Sequence, residues 1–195
     1  MRDSTSHAVV GVALRVRDTR LEVQVERAPL RRGEPLEAAL GRALDVAALA
    51  HVEQLETLVL PDGALATAYL GLAHSGEALP GEWRRVEEVT EHAGLVAAAQ
   101  ARLRAKLSYT NIGFALAPAT FTISELREVY VAALGHDVSA TNLQRVLLRR
   151  GVLEPAEGRR APGRTGGRPA ALFRFVSNRL EVTDEFAALR PPHRP

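Results

Sequence analysis

The stretch "TISELREVYVAALGHDVSATNLQRVLLRRG", residues 122–151, leaves the chain little freedom. Thr122 followed three residues later by Glu125 is a capping box, which starts a helix. Leu126, Val129, Tyr130 and Ala133 then fall on one face, and Gly135 suits the helix's C-terminal stop. After the short "HDV", Ser139 suits the N-cap of a second helix and Gly151 its end. In that second helix Leu143, Val146 and Leu147 face one side. Thr141, Gln144, Arg145 and Leu148 face the other, flanked by Asn142 and Arg149. Two helices joined by a short turn, the second polar and Arg-bearing on its outer face, describe a helix-turn-helix.

The segment after Gly151 reads as a wing. "VLEP" and "AALFRFV" can pair as a hairpin around "AEGRRAPGRTGGRPA", a loop with Arg159, Arg160, Arg164 and Arg168 among glycines. Those glycines do not match G-x-x-x-x-G-K-[ST], and no strand-to-helix context surrounds them, so a phosphate loop is a poor reading. Charge agrees with a nucleic-acid partner for this half. Residues 1–101 sum to −5 and residues 102–175 to +7. Two solvated surfaces with no electrostatic purpose are the plain alternative.

The first half alternates strands and helices. "AVVGVALRVR" and "RLEVQVER" read as strands joined by "DTR". "EPLEAALGRALDVAALA" reads as one helix with Pro35 in its first turn. "EQLETLVL" and "ALATAYLGLAH" read as two more strands around "PDG", and "EWRRVEEV" as a short strand or turn. "GLVAAAQARLRAKLSY" is a helix leading into the basic half. The expected fold class is α+β, with domains at residues 1–106 and 107–178 and a tail at 179–195.

With no cysteine, disulfides and thiolate metal sites are excluded. His7, His51, His74, His92, His136 and His193 are scattered, without ligand spacing, so neither a metal nor a cofactor is expected. No nucleophile and base are set up for covalent catalysis. Trp83 and the other aromatics read as core. No apolar run reaches the ~18 residues of a membrane span, and the N-terminus lacks a signal-peptide pattern, so a cytoplasmic protein without membrane contact is expected.

Residues 95–175, through "LSYTNI", "TISELREVY" and the closing "GRPAALFRF", resemble the winged-helix half of the Nudix-related transcriptional regulators. "VEQLETL" and "AYLGLA" extend the resemblance more loosely into the first half. The resemblance implies a Nudix-like α/β/α sandwich followed by a winged helix, and repression of NAD-metabolism genes. It further implies homodimers on palindromic double-stranded operators, with ADP-ribose or another nucleotide or sugar phosphate as effector.

A catalytic Nudix box reads G-x5-E-x7-R-E-U-x-E-E-x-G-U, where U is a bulky aliphatic. Its glutamates hold Mg²⁺ against a diphosphate. Anchored on Glu34, the frame places Arg42 and Leu44 correctly. Ala43, Val46 and Ala47 then stand where the acids belong, and Ala28 and Leu49 where the glycines belong. The expectation is a non-enzyme that keeps the fold without the metal site. Arg32, Glu34 and Arg42 are the candidate effector contacts. Thr141, Asn142, Gln144, Arg145, Arg149, Arg164 and Arg168 are the candidate DNA contacts. The alternatives are a weak or atypical Nudix hydrolase of nucleoside diphosphate derivatives, and a structural dimer that binds no ligand.

Overall fold

Eleven consecutive residues of strand β1, His7–Arg17, set the centre of the molecule, because Ala8 to Val16 are buried on both faces. A strand covered on both sides must lie inside a sheet with layers above and below. The computed structural model, which describes residues 6–77, 79–161 and 169–184, places it there. β1 pairs antiparallel with β2 (Arg20–Pro29) and parallel with β4 (Leu65–Leu72). β3 (His51–Val59) and the two-residue β5 (Arg84–Arg85) complete a sheet of order β3-β4-β1-β2-β5. Asp18 and Thr19, with φ of 47° and 62°, form the β1–β2 turn, and two successive positive φ values match the twist of paired strands.

Helix α1 (Leu36–Ala43) covers one face of the sheet. It is shorter than the single helix expected over residues 34–50, and Pro35 is its N-cap. Leu44 is extended and buried, and the chain resumes only as a 3-10 turn at Val46–Ala48. The break has a packing cause. Gly11 and Gly71 leave no side chain on the sheet, and Leu44 and Leu49 fill the space: a Cβ on Gly11 would lie 2.4 Å from Leu44 Cδ1, and one on Gly71 2.6 Å from Leu49 Cδ1. Seating both leucines against the sheet removes their apolar surface from water.

The long helix α2 (Ala93–Tyr109) covers the opposite face. Its buried stripe is Leu95, Val96, Ala99, Leu103 and Leu107. It runs through the division expected at residue 106, and the hydrophobic core is continuous from the sheet through α2 into α3 (Ile123–Leu134), α4 (Ala140–Arg149) and β6 (Leu153–Arg160). β6 pairs with β7 (Ala170–Phe175) as a two-stranded wing, longer than expected because β6 reaches Arg160. Among the described residues no helix is long and apolar enough to cross a membrane.

Glu53 on β3 ties α2 to the sheet edge. Its carboxylate meets Lys106 Nζ at 2.9 Å, His51 Nε2 at 3.0 Å and Arg102 Nη1 at 3.1 Å. Burial works against the charge, but the hydrogen bonds from Lys106, His51 and Arg102 outweigh it and hold the carboxyl below its ordinary range. A lowered carboxylate pKa adds stability above the unfolded value of about 4.3, and that stability is lost as pH falls through the folded value. Glu53→Gln is therefore expected to lower the urea midpoint at pH 7, and the gap to the parent should shrink as pH drops below about 4. An unchanged gap across that range would contradict the assignment. Gly11→Ala is expected to cost ~1–3 kcal/mol in the same measurement, because Leu44 has to move off the sheet.

Candidate nucleic-acid interface and sensor face

The α3–α4 helix pair is built as its sequence dictates. Thr122 Oγ1 accepts from Glu125 N at 3.2 Å, and Glu125 Oε2 accepts from Thr122 N at 2.7 Å. Gly135, at φ 75°, ends α3. The turn after it is held by Arg127, whose Nε donates to Val138 O at 2.8 Å and whose Nη2 meets Asp137 Oδ1 at 2.5 Å. Ser139 Oγ caps α4 by accepting from Asn142 N. Leu143, Val146 and Leu147 point into the core. Thr141, Asn142, Arg145 and Arg149 are exposed on the opposite side, with Gln144 half-buried beside them. Arg145 Nη2 donates to Asn142 Oδ1 at 2.7 Å, so these two site residues form one hydrogen-bonding unit.

The wing carries Arg159 and Arg160 on exposed β6 backbone, with Arg160 Nε 3.2 Å from Glu125 Oε1. Arg164 and Arg168 lie outside the described residues. Four of the candidate DNA contacts, Thr141, Asn142, Arg145 and Arg149, thus share one exposed helix face.

A polar cluster at the end of α4 carries no sequence signal that distinguishes it. Arg150 turns inward, its Nε donating to Thr183 Oγ1 at 2.9 Å and its Nη2 to Thr110 O at 3.1 Å. Burial lowers its pKa, yet a guanidinium remains charged. Asn111 holds the same C-terminal segment like a short strand: Nδ2 donates to Arg179 O at 2.7 Å and Oδ1 accepts from Glu181 N at 2.8 Å. Thr183 N donates to Tyr109 O at 2.9 Å. Residues 179–184 of the expected tail are therefore docked. The prolines read as its frayed end, Pro191, Pro192 and Pro195, lie outside the described residues.

On the sheet half, Glu34 and Arg42 are brought together. Arg42 Nε and Nη2 donate to the Glu34 carboxylate at 3.0 and 2.6 Å, and Nη2 also reaches Pro29 O at 2.7 Å. These bonds, with Arg31 N donating at 2.9 Å, hold the Glu34 carboxyl below its usual range. The pair clamps the loop to α1, and Arg32 is exposed on that loop. Ala43 ends α1, and Val46 and Ala47 lie in the separate 3-10 turn.

The other end of this face holds residues that carry no local signal in the sequence. Arg15, 4% exposed, pairs with Glu22 at 2.8 Å and stacks under Trp83, its Cζ 4.1 Å from the ring centroid. A desolvated cation over an indole is worth ~2 kcal/mol. Trp83 is thus a lid over a buried cation as well as a core aromatic. Arg15 looks like surface in an alternating strand, and Trp83, distant in sequence, covers it. Beside it, Ala13, Gln24, Leu44, Leu49 and Trp83 close down on a gap of about 10 Å³. A wider cleft of about 490 Å³ lies between His74–Glu77, Phe114, Ala117–Ala119, Phe175, Ser177 and Asn178. Among the described residues no three His, Asp or Glu side chains gather as a metal cage.

Comparison with known proteins fits this geometry. Residues 113–175 match the NrtR DNA-binding winged helix domain. A protein of Acinetobacter baylyi named ADPR responsive transcriptional repressor NtrR is 33% identical over 101 residues, 49% of this chain and 39% of that protein. The chain thus matches about two fifths of the length of that relative. Shewanella oneidensis NrtR in complex with a 27mer DNA superposes with a TM-score of 0.68 at 22% identity, covering 86% of this chain and 92% of that one. A MutT/nudix family protein from Enterococcus faecalis superposes with a TM-score of 0.64 at 16% identity, covering 91% and 90%. Residues 113–175 carry an NrtR-type DNA-binding winged helix, and the chain as a whole is similar in architecture to the Nudix-related NrtR proteins.

Proposed function

We propose that this protein is a sequence-specific DNA-binding transcriptional regulator, a repressor, whose Nudix-like half senses a phosphate-bearing metabolite such as ADP-ribose. The observation that carries the reading is the α4 face of Thr141, Asn142, Arg145 and Arg149, exposed within a segment that matches a DNA-binding winged helix. Residues 1–106 act as sensor, 107–178 as reader and 179–195 as tail. One recognition helix spans too few base pairs for genomic specificity, so two copies bind a palindromic operator with half-sites ~10 bp or a multiple apart. The effector meets the Arg32 loop and the Glu34–Arg42 pair, and favours one arrangement of the reader helices over the other.

The sensor does not hydrolyse its ligand. A Mg²⁺ cage needs carboxylates, and Ala43, Val46 and Ala47 offer none. With ADP-ribose and Mg²⁺, nucleotide release should stay at background, whereas steady turnover above ~1 s⁻¹ would reinstate an enzyme. ADP-ribose should nonetheless shift the affinity for retained operator DNA by several-fold. Indifference to ADP-ribose and to other nucleotide sugars would reduce the first half to a structural platform.

Within the reader, Arg145 lies about one turn from the start of α4, where a guanidinium can take guanine O6 and N7 together. Thr141, Asn142 and Gln144 add base or phosphate contacts, while Arg149, Arg164 and Arg168 serve the backbone. Arg145→Ala is expected to cost ~1–3 kcal/mol of preference for operator over scrambled duplex. Arg149→Ala should weaken both by similar factors and reduce the salt slope by about one unit. Full operator preference in Arg145→Ala would show that α4 docks by another face.

A further inference from the structure

Leu148 is the one large apolar side chain exposed on α4 among the described residues, at 40%. Scattered surface leucines are ordinary, but this one has a particular place. At 100° per residue, Thr141 and Leu148 lie about 20° apart around the helix axis, with Arg145 about 40° beyond Thr141. Leu143, Val146 and Leu147, the buried residues of α4, lie on the far side, and Arg150 is turned in towards Thr110 and Thr183. Leu148 therefore sits at one edge of the exposed arc, beside half-buried Gln144 and about 60° from Arg145. The core does not use it, and the surrounding groups are all hydrogen-bonding.

A lone apolar group bordering a polar reading face matches one feature of the major groove. Thymine presents a C5-methyl there, the only apolar edge group among the four bases of DNA. We infer that Leu148 is a specificity-determining residue that covers a thymine methyl in each operator half-site. The inference rests on the reading proposed above, that α4 enters the major groove. Contact between Leu148 and a methyl removes about one methylene-equivalent of apolar surface from water, which predicts a fourfold loss of affinity, roughly, for each methyl removed. The neighbouring Arg145 sets the guanine preference, so the two residues specify different positions of the site.

The test uses the full chain and duplexes it retains from a random pool. Each thymine of the retained duplex is replaced in turn by deoxyuridine, which deletes the methyl and leaves base pairing intact. One symmetry-related thymine pair should emerge at which the wild-type protein loses about fourfold per methyl. At that position Leu148→Ala should bind thymine and deoxyuridine duplexes equally, and Leu148→Met should keep most of the methyl dependence. Since Leu148 is exposed, neither variant should change the thermal midpoint. A wild-type protein indifferent to every deoxyuridine replacement would overturn the inference while leaving DNA binding intact. So would an undiminished methyl dependence in Leu148→Ala. Failure to enrich any duplex over competitor DNA would overturn the DNA-reading proposal itself, and this inference with it.

Discussion

Packing of α2 between the sheet and the winged helix is the constraint on which the rest of the molecule depends. Leu95, Val96, Ala99, Leu103 and Leu107 are almost fully withdrawn from water and join one core with β1, β4, α3 and α4. Each of the Leu and Val side chains among them is worth ~1.5–3 kcal/mol of burial. The electrostatics act as registration on that stripe. Glu53 gathers Lys106, Arg102 and His51 at the sheet edge, and Arg150 with Asn111 fastens the C-terminal end of α2 to the end of α4 and to residues 179–184. Partly buried charges satisfied this way fix geometry more than they add net stability.

The sequence made the winged-helix half legible and the sheet half only partly so. The capping box, the apolar spacing and Gly135 are local signals, and local signals determined where α3 and α4 begin and end. The wing followed from the glycines and from β-forming residues on either side of them. The early end of helix α1 escapes a local reading because it is decided by contacts far away in sequence. Leu44 rests on Gly11 and Leu49 on Gly71, and nothing between residues 34 and 50 announces that. The Arg15–Trp83 stack has the same character, since it joins residues brought together by the return of the 79–83 loop.

Among the candidate sites, the α4 residues could be read directly, because one helix face collects them whatever the tertiary fold. Glu34 and Arg42 were also paired by spacing, and the structure brings them into contact. Their partnership gives a physical reason for survival of these two box residues: they clamp a loop to α1 through charge-assisted hydrogen bonds, a task that needs no metal. The docked segment after residue 178 was illegible because it engages mostly through its own backbone carbonyls and amides, and hydrogen bonds of that kind leave no trace in its residue types.

A continuous core also limits how a sensor of this construction can signal. Close-packed interiors move between discrete arrangements and do not deform gradually. A ligand held by the α1 face cannot swing the winged helix as a loosely tethered module, because α2 belongs to the packing of both. On the proposed reading of a two-fold complex, two routes remain for changing the spacing of its α4 helices. One is rotation of whole protomers about their mutual interface. The other is a small rigid shift of α2 that carries α4 along through Arg150. Either route couples the sites only by the difference in ligand affinity between the two arrangements. A hundredfold change in operator binding thus needs ~2.7 kcal/mol of differential ligand binding. That is comparable to the stacking and pairing energy of Arg15 with Trp83 and Glu22.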